Sequence, residues 1–127
     1  MIATTIEQSK HLLELGLNPK TADMTYVQDL LAGLKYGDYK LHAGDWRGCY
    51  GQGHVRAWSL SAMLELMPKF IQKNRISADF NIRAHGQLWN VGYYCIEVKF
   101  SEDIIEAAYS LLCWLIENNF IKTEKQC

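Results

Sequence analysis

The chain has 127 residues, of which 49% are hydrophobic and 21% charged, and its formal net charge is −1. That balance fits one folded domain with a core of its own rather than a disordered segment. It argues against a protein that coats nucleic acid, whose affinity comes from clustered Lys and Arg. No apolar run approaches the roughly 20 residues that span a bilayer. The opening "MIATTIEQSK" lacks the basic start and apolar centre of a secretory signal, so the expected location is the cytoplasm. Cys49, Cys95, Cys113 and Cys127 form no C-x-x-C pair, which leaves no zinc ribbon or thioredoxin-type site and makes free thiols the expectation.

In chain order, the first predicted element is a helix over residues 6–15. Thr4 and Glu7 have capping-box spacing at its start, and Gly16 followed by Asn18-Pro19 ends it. "MTYV" (residues 24–27) and "YKLHA" (39–43) read as short strands. "QDLLAGLKYG" between them is ambiguous: Leu30, Leu31 and Leu34 fit one helix face, but Gly33 weakens it. The glycine-rich stretch "GDWRGCYGQGHVRAW" (44–58) is read as a loop. A second helix follows over 59–67, with Ser59 as N-cap, Trp58 and Met63 as a hydrophobic staple, and Pro68 as the stop. Leu60, Met63, Leu64 and Met67 form its apolar face.

A hairpin is predicted next. Ala78, Phe80, Ile82 and Ala84 alternate with Asp79, Asn81 and Arg83, the period of a half-buried strand. His85-Gly86-Gln87 supplies the turn. In "LWNVGYYCIEVKF" (88–100), Tyr94, Ile96, Val98 and Phe100 fall on one face, and Trp89, Val91, Tyr93, Cys95, Glu97 and Lys99 on the other. Gly92 marks a bulge or a close backbone approach. Cys95 and Cys113 read as small core residues. The last helix starts at Ser101 as cap, with Glu102 and Asp103 against its dipole, and ends at Asn118-Asn119. Ile104, Ala108, Leu111 and Leu115, joined by Ile105, Leu112 and Ile116, give it a wide apolar face. The sum is a single α+β domain over residues 1–127, with three or more helices packed on one face of a small, mostly antiparallel sheet.

The segments "SKHLLELGLNPKTADM", "AWSLSAMLELMPKFI", "WNVGYY" and "CWLIENNFI" resemble a family of small proteins carried by phages, prophages and mobile elements of gut Bacteroidetes. The resemblance reaches most of the chain but fails across residues 25–56. That family has no assigned chemistry, so no catalytic residue carries over. The resemblance implies a setting, the cytoplasm of a bacterial host, and a role as a phage accessory or counter-defence factor. A variable loop on a constant scaffold is a common way to build a binding surface.

Within that loop, Trp46, Tyr50 and Trp58 can stack on a flat ligand while Arg47, Arg56 and His54 meet an anion. Arginine's planar fork suits phosphate or carboxylate, and rings stack on nucleobases. The alternative is an ordinary loop with its rings pinned to the core and its arginines solvated. Trp58 is read as mainly structural because of the staple. Gly51-Gln52-Gly53 makes neither a dinucleotide fingerprint nor a phosphate-binding P-loop. His11, His42, His54 and His85 match no metal-ligand spacing. Cys49 with His54 and Asp45 is conceivable as a hydrolytic set, but nothing in the spacing favours it. Trp89 and Tyr93 either join the core or form an open patch for a host protein or a second copy, with Arg83 adding a charged contact. Glu97, Lys99 and "KTEK" read as solvated charges.

The sequence therefore predicts a non-enzymatic binding protein with no cofactor, metal or catalytic residue. Its expected ligand is a small anionic or nucleotide-like molecule, bound through Trp46, Arg47, Tyr50, His54, Arg56, Arg83, Trp89 and Tyr93. The alternatives are a protein-interaction or oligomeric module, and a small hydrolase using His54, Asp45 and Cys49.

Overall fold

A computed structural model of the chain describes residues 2–28, 39–44 and 54–123. Helix α1 spans Ile6–Glu14, and its capping box is Thr5 with Gln8, one residue beyond the predicted Thr4–Glu7 pair. The shift has a cause. Thr4 is fully buried, and its hydroxyl accepts from the Trp58 amide at 3.1 Å and shares a 2.7 Å hydrogen bond with Ser9 Oγ. A side chain committed to the core cannot also cap a helix, so the role passes to its half-buried neighbour. Gly16, at φ +99, follows the helix in the left-handed conformation. Asn18 then caps a single 3-10 turn, Pro19–Thr21.

Strands β1 (Met24–Gln28), β2 (Tyr39–Ala43) and β3 (His54–Ala57) form an antiparallel sheet in the order β2-β1-β3. The first two are the predicted "MTYV" and "YKLHA" segments. The third falls within the predicted loop. It alternates as a strand does: Val55 and Ala57 are buried, while His54 is exposed and Arg56 half-buried. Apart from Gln28, the ambiguous "QDLLAGLKYG" segment lies outside the described residues, as does most of the glycine-rich stretch.

Helix α2 spans Leu60–Leu66 with Ser59 as N-cap, as predicted. The Ser59 hydroxyl also donates to Asp23 Oδ2, and its amide donates to Asp23 Oδ1 at 2.9 Å, which ties α2 to the foot of β1. The staple residues Trp58 and Met63 are both fully buried. A strand the sequence did not announce, β4 (Phe70–Lys73), comes next and pairs with the start of β5 (Ile76–His85). Their turn is Asn74-Arg75, with φ of 52 and 68 at these two residues. Both central positions of such a turn need positive φ, which Asn-Gly normally announces; Arg75 hides the turn. After Gly86, at φ +63, β6 (Leu88–Tyr93) returns along β5, and β7 (Glu97–Ser101) along β6. The four strands form a second antiparallel sheet in the order β4-β5-β6-β7.

Residues 88–100 are thus two strands rather than one. Tyr93 pairs with Glu97, and the Ile96 amide donates to the Tyr93 carbonyl at 3.0 Å across the turn. A turn with an odd number of residues preserves alternation. Glu97 and Lys99 therefore share a face with Val91 and Tyr93, while Val98 and Phe100 take the other, as the pattern required. Cys95 departs from its reading as a core residue. It is exposed at the turn, with φ +67.

Helix α3 (Ile104–Glu117) is capped by Asp103, not Ser101. Ser101 is still the last residue of β7, and its hydroxyl accepts from the Asp103 amide at 3.1 Å, one step before the cap. Ile105, Ala107, Ala108, Leu111, Leu112, Cys113, Leu115 and Ile116 are all buried. The helix lies across β6 and β7, α2 packs against α3, and α1 packs against β3. The α+β class and the antiparallel pairing are as expected. The single sheet is replaced by two, because β1 pairs with β2 and β3 and not with the later hairpins. No helix among the described residues is long and apolar enough to cross a membrane.

Candidate functional site

Among the described residues, those singled out for ligand binding do not converge. Trp46, Arg47 and Tyr50, like Asp45 and Cys49, lie outside the described residues. His54 is exposed at the start of β3. Arg56 is engaged internally. Its guanidinium donates to the carbonyls of Pro19 at 3.3 Å, Ala22 at 2.5 Å and Gly44 at 2.9 Å, and to Thr25 Oγ1 at 2.7 Å. An arginine spent on three carbonyls and a hydroxyl is a strut between the 3-10 turn, β1, β3 and the end of β2, and not a receptor for an anion. Arg56→Met should therefore cost about 3 kcal/mol, since hydrogen bonds to charged groups contribute about 1.5–3 kcal/mol each and are not additive. Arg56→Lys should recover little, because one ammonium cannot reproduce the planar fork. Urea unfolding of both variants measures this. A loss below 1 kcal/mol in Arg56→Met would return Arg56 to the candidate binding residues.

Tyr93 is likewise removed from the candidates. It is fully buried, its ring meets Phe80 edge-on at 5.5 Å, and its hydroxyl donates to the Pro68 carbonyl at 2.5 Å. Burial pushes its phenol up to about 12. Val91 is buried beside it, so this part of β6 belongs to the core. Trp89, 38% exposed, keeps an edge in solvent. Arg83 lies on the opposite face, since its neighbours Ile82 and Ala84 pair with Val91 and Trp89.

That opposite, outer face of the four-stranded sheet gathers what the sequence left scattered. Phe100 is 62% exposed, Phe70 53% and Tyr94 44%, and Leu88 is also exposed. The register places Phe70 beside Asp79, Leu88 beside His85, and Phe100 beside Asn90. The Arg83 guanidinium sits over the Tyr94 ring at 5.4 Å from its centroid, a contact that holds the cation flat against the sheet. Asn81, Asn90, Gly92, Tyr94 and Val98 line a hollow on this face. Asn90 Oδ1 is buried there without a hydrogen-bond donor, and a buried orphan acceptor is costly. The hollow is too shallow to admit a water molecule, far below the few hundred Å³ of a small-molecule site.

Phe70, Tyr94 and Phe100 were not among the sequence candidates. Large apolar residues alternate on both faces of β6 and β7, and alternation alone does not say which face the helices cover.

The buried Cys113 offers no nucleophile. Burial pushes the Cys113 thiol up, and Tyr109, hydrogen-bonded to it, is pushed up by its own burial. A raised thiol is an inert one at neutral pH. Among the described residues no three His, Cys, Asp or Glu side chains cluster to hold a metal ion. A second cleft of about 210 Å³ is lined by Lys73, Asn74, Ile76, Cys95 and Ile96. The Lys73 ammonium there is already placed, 5.1 Å from the centre of the Trp114 ring and donating to Asn118 Oδ1 at 3.3 Å. No protein-family model, curated protein or solved structure matches this chain.

Proposed function

We propose that the protein is a non-enzymatic binding protein that recognises another protein through the outer face of its four-stranded sheet. The observation that carries this reading is the set of exposed rings Phe70, Tyr94 and Phe100 on one face of the sheet, with Arg83 over Tyr94. Aromatic residues and arginine are enriched at the anchoring centres of protein interfaces. A surface whose hollow is too shallow for water suits a macromolecule better than a small ligand. In the phage setting implied by the resemblance, that partner is a host protein, and the role is that of an accessory or counter-defence factor. The small anionic ligand read from the glycine-rich stretch keeps Trp46, Arg47, Tyr50 and His54 as its residues, without Arg56 and Tyr93.

A photo-crosslinking amino acid placed at Phe70 tests the proposal, with a control at the exposed Glu7 of α1. The expected result, in a bacterial host, is a discrete crosslinked product with a different protein from position 70 that is absent from position 7. The product should be lost when Arg83→Glu and Tyr94→Ser are added to a chain of unchanged circular dichroism. The same products from both positions, or none but self-crosslinks from position 70, would sink it.

A further inference from the structure

Strand β7 is an edge of its sheet, and among the described residues no strand pairs with its outer side. The direction of its backbone groups can be fixed. The Glu97 carbonyl oxygen stands 2.3 Å from the point a Cβ on Gly92 would occupy, so it is directed at β6. Backbone groups alternate in direction along a strand. Those of Lys99 and Ser101 therefore also face β6, and those of Val98 and Phe100 face the free edge. A free edge of this kind is a template for another strand.

The side chains specify which strand. Lys99 Nζ lies 3.8 Å from Glu97 Oε2 within the chain, and both side chains are 31% exposed. Set a second copy antiparallel to the first, with the two-fold axis through Val98. Val98 then faces its own symmetry mate and exchanges both backbone hydrogen bonds with it. Glu97 of each copy stands directly opposite Lys99 of the other, at a position whose backbone groups point away from the new edge and whose side chains therefore approach closely. An axis through Lys99 would instead oppose lysine to lysine. Charge thus selects one register for a self-complementary, two-fold contact. Phe100, the most exposed ring of the outer face, comes level with Ile96 of the other copy.

We propose that the chain forms a two-fold dimer by antiparallel pairing of β7 with β7 of a second copy, with Val98 on the axis. The two four-stranded sheets then run on into one. A contact one strand long falls in the small class of interfaces, so monomer and dimer exchange with concentration. The pairing uses the strand edge and Phe100 and leaves Arg83, Tyr94 and Phe70 uncovered, so a crosslink from position 70 and the concentration dependence of the dimer fail independently.

Sedimentation velocity across a concentration series provides the test. The wild-type chain should shift from monomer to dimer as concentration rises. Glu97→Lys alone and Lys99→Glu alone should each remain monomeric, because each opposes like charges across the axis. An equimolar mixture of the two should dimerise, and so should the chain carrying both exchanges. In the wild type, hydrogen exchange of the Val98 amide should slow as the dimer forms. If the single variants do not fold, the doubly exchanged chain and the exchange rate decide. A wild type that stays monomeric throughout, single variants that dimerise as well as wild type, or a Val98 amide indifferent to concentration would each overturn the dimer.

Discussion

Trp58→Ala is expected to lower the unfolding free energy by about 3–5 kcal/mol, the range for truncating a large buried aromatic side chain. A domain of this size is stabilised by about 5–15 kcal/mol in total, so the loss is a large share of it. Trp58 is fully buried, in the same core cluster as Leu12, Met63 and Leu111, drawn from α1, α2 and α3. Its indole Nε1 donates to Thr21 Oγ1 at 3.0 Å. Its backbone is held from both sides, the amide by Thr4 Oγ1 and the carbonyl by the Thr4 amide at 2.9 Å. One residue thus joins the N-terminal segment, the 3-10 turn, β3 and α2. Trp58→Phe keeps most of the apolar area and loses the indole hydrogen bond. The Thr21 hydroxyl still donates to the Asn18 carbonyl at 2.6 Å, so the phenylalanine variant should lose only about 1–2 kcal/mol. Urea unfolding followed by circular dichroism measures both. An alanine variant within 1 kcal/mol of wild type would show that the ring does not join these elements.

How far the sequence foretold this follows from what each pattern encodes. Where one element carries its own instructions, sequence and structure agree. Ser59, Trp58, Met63 and Pro68 bracket α2, and the apolar spacing of α3 predicts its buried face. Errors of one or two residues arose where a neighbour in space claimed a side chain. Thr4 is drawn into the core by Trp58, and Ser101 is kept in β7 by its pairing with Trp89. Two strands are disguised by their neighbours: β3 behind the glycines, and β4 behind an Asn-Arg turn. The site was less legible than the fold. Arg56 reads as an exposed cation from composition alone, and only tertiary structure brings the three carbonyls to it. Tyr93 and Tyr94 are adjacent and chemically identical. One closes the core and the other lies under Arg83, and the sequence gives no means of choosing before the position of α3 is known.

Gly92→Ala is expected to cost about 3 kcal/mol, at the upper end of what overpacking a tight site costs. Gly92 is not among the positive-φ residues of the described chain, so alanine is excluded by space and not by backbone conformation. A Cβ there would lie 2.3 Å from the Glu97 carbonyl oxygen, 2.6 Å from Val98 Cα and 3.1 Å from the Glu97 carbonyl carbon. All three are backbone atoms, so no rotamer change relieves the clash, and β7 itself must move outward by about 1 Å to restore normal contact distances. It is not free to do so. Val91 and Tyr93 flank Gly92 and are fully buried, and α3 bears on both β6 and β7. Gly86 is the natural control. Nothing lies within 4 Å of its added Cβ, but its φ is +63, so Gly86→Ala should cost only the strain of a left-handed alanine, about 1 kcal/mol. If unfolding shows the two variants equally destabilised, the tight approach of β7 to β6 is wrong. The inward direction assigned to the Glu97 carbonyl, and with it the free edge at Val98, would then lose its support.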